Sequence, residues 1–169
     1  MTGRRNIDGL YLEYGTDKTA VAQVGVPCTY GAESEVICTL EASRMTLTGG
    51  LIGGRPNTTI PAGSYIKDVR LIVTEGFDSG TTATLDLGLC LEDGTYTDLD
   101  EDGFDVAIAE TAIDTAGKVV VCDGAYIGTV TGTVKGFPSY DLDTAVYTTG
   151  KGYLVITYIP PLYPDQTAN

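Results

Sequence analysis

Carboxylates, tyrosines and four cysteines are the reactive side chains of this sequence, because histidine is absent altogether. Without imidazole there is no Ser-His-Asp or Cys-His pairing, no imidazole-ligated zinc and no ordinary general base near neutral pH. Carboxylate pairs of the kind that hydrolyse glycosidic bonds remain open. Glycosidase clefts commonly stack sugars on tryptophan, however, and tryptophan is also absent. The Asp and Glu residues crowd into segments that read as solvated loops. The sequence points away from an enzyme, and no catalytic, cofactor-binding or metal-ligating residue is assigned.

Three local patterns compete with that reading. Asp98-Leu99-Asp100-Glu101-Asp102-Gly103 begins as a calcium loop does, with alternating carboxylates before a glycine turn. The twelfth position of that pattern requires Glu and here is Ala109, and no helix pattern precedes it. Asp102 as the N-cap of a following helix is the preferred account, with Asp98 and Asp100 exposed. Gly49-Gly50-Leu51-Ile52-Gly53-Gly54-Arg55 lacks the Lys-Ser/Thr ending of a phosphate-binding loop and reads as a flexible connection. Cys28, Cys38, Cys90 and Cys122 have no CxxC spacing. Cys38 and Cys90 fall within strand patterns, where cysteine behaves as a small apolar residue, so burial is expected of them. No apolar h-region follows Met1-Thr2-Gly3-Arg4-Arg5-Asn6, so no secretory signal and reduced thiols are expected, and the sequon at Asn57-Thr58-Thr59 carries no meaning.

The formal charge is −13, with a run of nine carboxylates and no Lys or Arg from Glu92 to Asp114. Such a surface repels nucleic-acid phosphates and anionic lipid headgroups, so neither partner is expected. No apolar run approaches the roughly 18 residues that a membrane span needs. The basic residues are skewed the other way. Arg4, Arg5, Lys18, Arg44 and Arg55, half of the ten, lie in residues 1–57.

The elements that must carry these residues are strands. Tyr65 to Glu75 puts Tyr65, Val69, Leu71 and Val73 on one face and Asp68, Arg70 and Thr74 on the other, with Lys67 interrupting the apolar face. Ala83, Leu85, Leu87, Leu89 and Leu91 alternate with Thr84, Asp86, Gly88, Cys90 and Glu92. Gly76-Phe77-Asp78-Ser79-Gly80 has turn chemistry and predicts a hairpin between these two. Further strands are expected over 35–41, 19–24, 118–122 (Val119-Val120-Val121 buried on both faces), 145–148 and 153–159, the last ended by Pro160-Pro161. One short helix is expected near 103–112, where Phe104, Ala107, Ile108 and Thr111 have helical spacing. Thr46 to Pro61 reads as a long loop. Together these predict an all-β fold, a β-sandwich of jelly-roll type, organised as an N-terminal arm (1–17), the sandwich (18–161) and a C-terminal tail (162–169).

Two stretches carry a family likeness. Thr59-Ile60-Pro61-Ala62-Gly63-Ser64-Tyr65-Ile66-Lys67-Asp68-Val69, with Thr81-Thr82-Ala83-Thr84-Leu85-Asp86-Leu87-Gly88-Leu89, resembles an IPAG-x-I-x-x-V … ATL-x-(V/L)-G pattern. Asp100-Glu101-Asp102-Gly103-Phe104, followed by Ala107 to Ile113, is similar to the D-x-DG(F/L) segment that comes next in the same proteins. They are head decoration (cement) and related virion structural proteins of tailed, chiefly short-tailed, bacteriophages, and the likeness covers about residues 58–160. Such proteins are not enzymes. They sit at multi-subunit junctions on the capsid, often as homotrimers, and stiffen the shell. The resemblance implies the major capsid protein and further copies of this chain as partners, and the outer surface of a virion assembled in the host cytoplasm as its place. Physically, the pattern asks for an approachable backbone at Gly88. The other function class left open is a glycan- or receptor-binding module of a phage fibre or appendage, since the tyrosines can stack on sugars.

Overall fold

The structure, a computed structural model, describes residues 2–5, 11–14, 33–52, 58–95 and 99–161. Its contacts divide the chain into two units, Met1–Ala32 with Leu162–Asn169, and Glu33–Pro161. In the first, β1 (Thr2–Arg5) pairs antiparallel with β2 (Tyr11–Tyr14), a ladder that the weak patterning of residues 1–17 does not announce. The strand expected over 19–24 lies outside the described residues.

The second unit holds β3 (Ser34–Glu41), β4 (Gly50–Leu51), β5 (Tyr65–Asp78), β6 (Thr84–Cys90), β7 (Asp105–Ala109), α1 (Glu110–Ile113), β8 (Val119–Val121), β9 (Phe137–Asp143) and β10 (Thr149–Ile159). They form two antiparallel four-stranded sheets, ordered β3-β10-β5-β8 and β4-β9-β6-β7. The partners β3/β10, β4/β9, β5/β8 and β6/β7 run inward from the two ends of the unit. This is one long hairpin rolled so that successive pairs fall alternately in the two sheets, the double Greek key of a jelly roll. The expected β-sandwich is present.

That topology corrects the expected hairpin between residues 65–75 and 83–91, because β5 and β6 lie in different sheets. The turn chemistry is real, with the Gly80 N–H donating to Asp78 Oδ1 at 2.8 Å. It serves a crossover instead. Phe77, read as part of the turn, is fully buried and meets the Tyr147 ring edge-on at 5.3 Å.

Inward-facing residues of both sheets make one core, including Cys38, Leu40, Val69, Leu71, Val73, Leu154 and Ile156 from the first and Leu85, Leu87, Leu89, Tyr140 and Leu142 from the second. Along β5 the apolar phase slips once. Thr157 stands opposite Asp68 but Tyr158 opposite Ile66, so Lys67 is an extra residue and Ile66, not Tyr65, points inward. Two further register shifts between Val73 and Asp78 offset each other, so Phe77 keeps the inward phase of Val69, Leu71 and Val73. A bulge reverses the alternation downstream of it, which explains why Lys67 seems to break the pattern.

Four further expectations change. Residues 105–109 are a strand, and the one α-helix among the described residues is the single turn Glu110–Ile113, so Asp102 does not cap it. Val119 and Val121 are not buried on both faces: they are 52% and 61% exposed on the edge strand β8. Residues 145–148 form no strand, whereas Phe137–Asp143, which includes Pro138, does. The 46–61 stretch contains the short strand β4, paired with β9; within it, residues 53–57 lie outside the described residues.

Candidate interaction surface

The motif residues build the frame. Ile60 is fully buried and exchanges both backbone hydrogen bonds with Gly136, at 2.8 and 2.9 Å. Ser64 Oγ donates to the Pro61 carbonyl at 2.6 Å, and the Ser64 N–H donates to Thr131 Oγ1 at 3.0 Å. The IPAG turn thus launches β5 with its buried polar groups satisfied. At Gly88 the expected approach of backbone is found: a Cβ there would collide with the carbonyls of Asp100 and Glu101. The Leu89 N–H donates to the Asp100 carbonyl at 2.9 Å and the Phe104 N–H to the Leu87 carbonyl at 2.8 Å. Phe104 is fully buried, edge-on to Tyr126 at 6.1 Å, and Gly103 lies flat beneath that ring.

Of the residues singled out for chemistry, Asp98, Cys28 and Arg55 lie outside the described residues, as does Lys18. Asp100 and Asp102 are brought side by side; the side-chain hydrogen bond between them, and then burial, raise the Asp100 carboxyl above its ordinary range. Among the described residues, no group of His, Cys, Asp and Glu is arranged to hold a metal ion. Cys38, Cys90 and Cys122 are buried free thiols. Burial pushes Cys38 up to about 11, and burial with the neighbouring Asp105 carboxylate pushes Cys122 further still. A thiol held protonated is a poor nucleophile, so these cysteines belong to the packing.

What distinguishes this unit is the contrast between its two outward faces. On the first sheet the register aligns four outward rows. Glu35, Thr157 and Asp68 form one; Ile37, Val155, Arg70 and Val121 the next; Thr39, Tyr153, Ile72 and Val119 the third; Glu41, Lys151 and Glu75 the last. The two middle rows are an apolar band crossing all four strands. Ile37 is 56% exposed and Tyr153 is 40% exposed. Scattered exposed apolar residues are ordinary, but a contiguous band rimmed by charge marks a contact surface. The strand over 153–159 reads as apolar on both sides in the sequence, and the same signal lay in Ile37 and Ile72, apolar at positions that alternation assigns to water.

The rim of that band is internally paired. Lys151 meets Glu41 at 2.7 Å, Arg44 meets the same carboxylate at 3.1 Å, Arg70 meets Asp68 at 2.7 Å, and Lys67 meets Glu33. A hydrogen bond and the charge of Lys151 lower the Glu41 carboxyl below its ordinary range.

The second sheet is the opposite. Its outward positions include Asp86 directly across from Asp141, with Thr84 across from Asp143. Like charges opposed across strands are unfavourable. Asp86 is raised by burial first and then by Asp102, Asp141 and Asp143, against a hydrogen bond donated by the Ala107 N–H at 2.5 Å. Glu101 is raised by burial and by the same group of carboxylates. Among the described residues, none of Asp86, Asp100, Glu101, Asp102, Asp141 and Asp143 has a Lys or Arg ion-pair partner.

No protein-family model matches the sequence, and no curated protein matches it. Solved structures do match the fold. A chain in the acidic stable capsid structure of Helicobacter pylori bacteriophage KHP30 is similar with TM-score 0.52 and 15% identity, covering 79% of this chain and 91% of that one. A chain of the cyanophage Pam1 capsid asymmetric unit gives 0.54 and 15%, covering 78% and 87%. A chain of the Ralstonia phage GP4 capsid gives 0.53 and 16%, covering 79% and 87%. At such identities the likeness is one of fold: this jelly roll has the architecture of chains found in three phage capsids.

Proposed function

We propose that this protein is a structural component of a bacteriophage virion, one that binds the outer surface of the capsid as a decoration or cement protein and stabilises the shell. The observation that carries the proposal is the apolar band on one outward face of a jelly roll, which marks this unit as one that packs against other protein. The fold shared with chains of three phage capsids supports it. So does the family likeness of the IPAG and DGF segments, which serve as frame rather than as chemistry. The carboxylate face supports the outer surface in particular, since it repels packaged DNA and is content in water. The partners are the major capsid protein and further copies of this chain, in a homotrimer, with no nucleic acid or membrane involved. No helix among the described residues is long and apolar enough to cross a membrane.

The arm reading belongs to the same proposal. Residues 1–17, with Arg4 and Arg5, dock on the shell; residues 18–161 form the sandwich and 162–169 a tail. Viral shells often present acidic outer surfaces, to which a basic start on an acidic protein is complementary. Glycan binding has less support: Tyr140, Tyr147 and Tyr158 are buried and cannot stack on a sugar, and of the exposed Tyr65 and Tyr153 the latter belongs to the apolar band. The test is co-sedimentation with shells that lack the protein. Saturable binding that falls at least tenfold on deletion of residues 1–17 is expected. No binding by the full chain overturns the proposal, and unchanged binding by the deletion removes the arm from it.

A further inference from the structure

We infer that the outer face of the β3-β10-β5-β8 sheet is where copies of this chain pack on one another. The inference rests on the self-association in the proposed function and adds the surface that performs it. Three observations select this face and this occupant.

The first is charge. Two chains of net charge −13 repel wherever their carboxylates face each other. On this sheet Glu33, Glu35, Glu41, Asp68 and Glu75 stand among Arg44, Lys67, Arg70 and Lys151, and most are paired within the face. A surface whose charges already satisfy one another demands none from its partner and packs beside another copy of this chain without penalty. The face bearing Asp86, Asp141 and Asp143 cannot do so.

The second is size. The four strands, of 8, 11, 14 and 3 residues, give at about 3.3 Å per residue and about 4.8 Å spacing a face of roughly 600 Å² before side-chain relief is counted. A stable interface takes about 800 Å² from each partner. The band and its rim are of the size one copy contributes, with the apolar rows at the centre and the ion pairs around them, as in the core and rim of known interfaces.

The third is the edge. β8 is an edge strand of three residues, short enough to be blunted as a pairing edge, yet its outward Val119 and Val121 are exposed and continue the apolar rows to the last strand of the sheet. Arg70 lies within one of these rows, between Val155 and Val121, its guanidinium held by Asp68.

Sedimentation velocity over a range of concentrations tests the inference with the full chain. The wild type is expected to sediment as an oligomer, and the double variant Ile37→Asp/Tyr153→Asp as a monomer up to at least tenfold higher concentration. Both positions face outward, so the variant's circular dichroism is expected to remain that of a β protein. The milder pair Ile37→Thr/Val121→Thr, which keeps β-branched side chains in both strands, is expected to shift the assembly midpoint in the same direction and covers the case in which two aspartates hinder folding. Asp143→Asn on the other face is expected to leave the mass unchanged. Oligomers that persist in both folded variants overturn the placement alone. A wild type that stays monomeric at every concentration overturns the self-association beneath it. Loss of shell co-sedimentation with oligomeric mass intact assigns the face to the shell and also overturns the inference.

Discussion

The two sheets of the jelly roll have equivalent inner faces and opposite outer ones. Inside, each contributes fully buried aliphatic side chains, Leu71 and Leu154 from one and Leu85 and Leu87 from the other. Outside, the β3-β10-β5-β8 sheet presents Ile37, Ile72, Tyr153, Val155 and Val121, whereas the β4-β9-β6-β7 sheet presents Asp86, Asp141 and Asp143. Folding requires only the inner faces to be apolar. The outer difference is therefore surplus to the fold and belongs to what the protein contacts: one face made to leave water, the other to remain in it.

If the inner faces are equivalent, truncating either should cost the same. Leu71→Ala and Leu87→Ala are both fully buried deletions, each expected to lose about 2–5 kcal/mol. Urea unfolding of the two variants measures it, and a large inequality would mean that one sheet carries the core. A step smaller, Gly88→Ala is expected to cost about 1–3 kcal/mol, because the new methyl must displace the Asp100–Glu101 backbone that crosses the second sheet. The first sheet should be untouched, so the β10 amides should keep their hydrogen-exchange protection relative to β6.

The carboxylate face also sets a pH dependence. Asp86, Asp100, Glu101 and Asp105 have raised pKa values in the folded state, Asp105 through burial first and then Asp123. The folded protein then binds more protons than the unfolded one, so these groups favour folding below their ordinary range and oppose it as pH rises through their raised values. Glu41, Asp93 and Asp114 are lowered, so their contribution is present above the ordinary range and is lost only as pH falls through their lower values. The windows do not coincide. Melting temperature is expected to rise as pH falls from neutrality through the raised values and to fall again in stronger acid, and Asp86→Asn should flatten the first limb. A monotonic fall from pH 7 would show that the carboxylates are not in conflict. The smallest effect concerns Thr144, which follows β9 at φ 76°, a left-handed conformation that a β-branched residue adopts at a cost. Thr144→Gly is expected to stabilise by about 0.5–1 kcal/mol in the same urea assay.

Alternation made three core strands readable, 35–41, 65–75 and 83–91, and the fourth, 153–159, was read from an apolar run that a proline ends. Bulges hid the rest. Ile108 lies opposite Leu85 and Asp105 opposite Leu87, so β7 holds an extra residue beside Ala107, itself at φ 53°. The buried Phe104 and Ile108 thus fall four apart, which imitates a helix and produced the expectation of one over 103–112. Nothing in the alternation marked β9, which holds Pro138 near its start, where the proline carbonyl still accepts from the Ile52 N–H at 2.8 Å. The Val119-Val120-Val121 run shows the limit of hydropathy alone. A buried strand and a strand that waits for a partner have the same composition, and only the sheet order tells them apart.

The claim that one face contacts protein and the other faces water is tested most directly by footprinting the assembled particle, with hydroxyl radicals for the apolar side chains and carbodiimide coupling for the carboxylates. Compared with the free chain under dissociating conditions, Ile37, Tyr153 and Val121 are expected to lose most of their reactivity on assembly, while Asp86, Asp141 and Asp143 keep theirs. Protection of the three aspartates with Ile37 and Tyr153 still reactive would contradict the account.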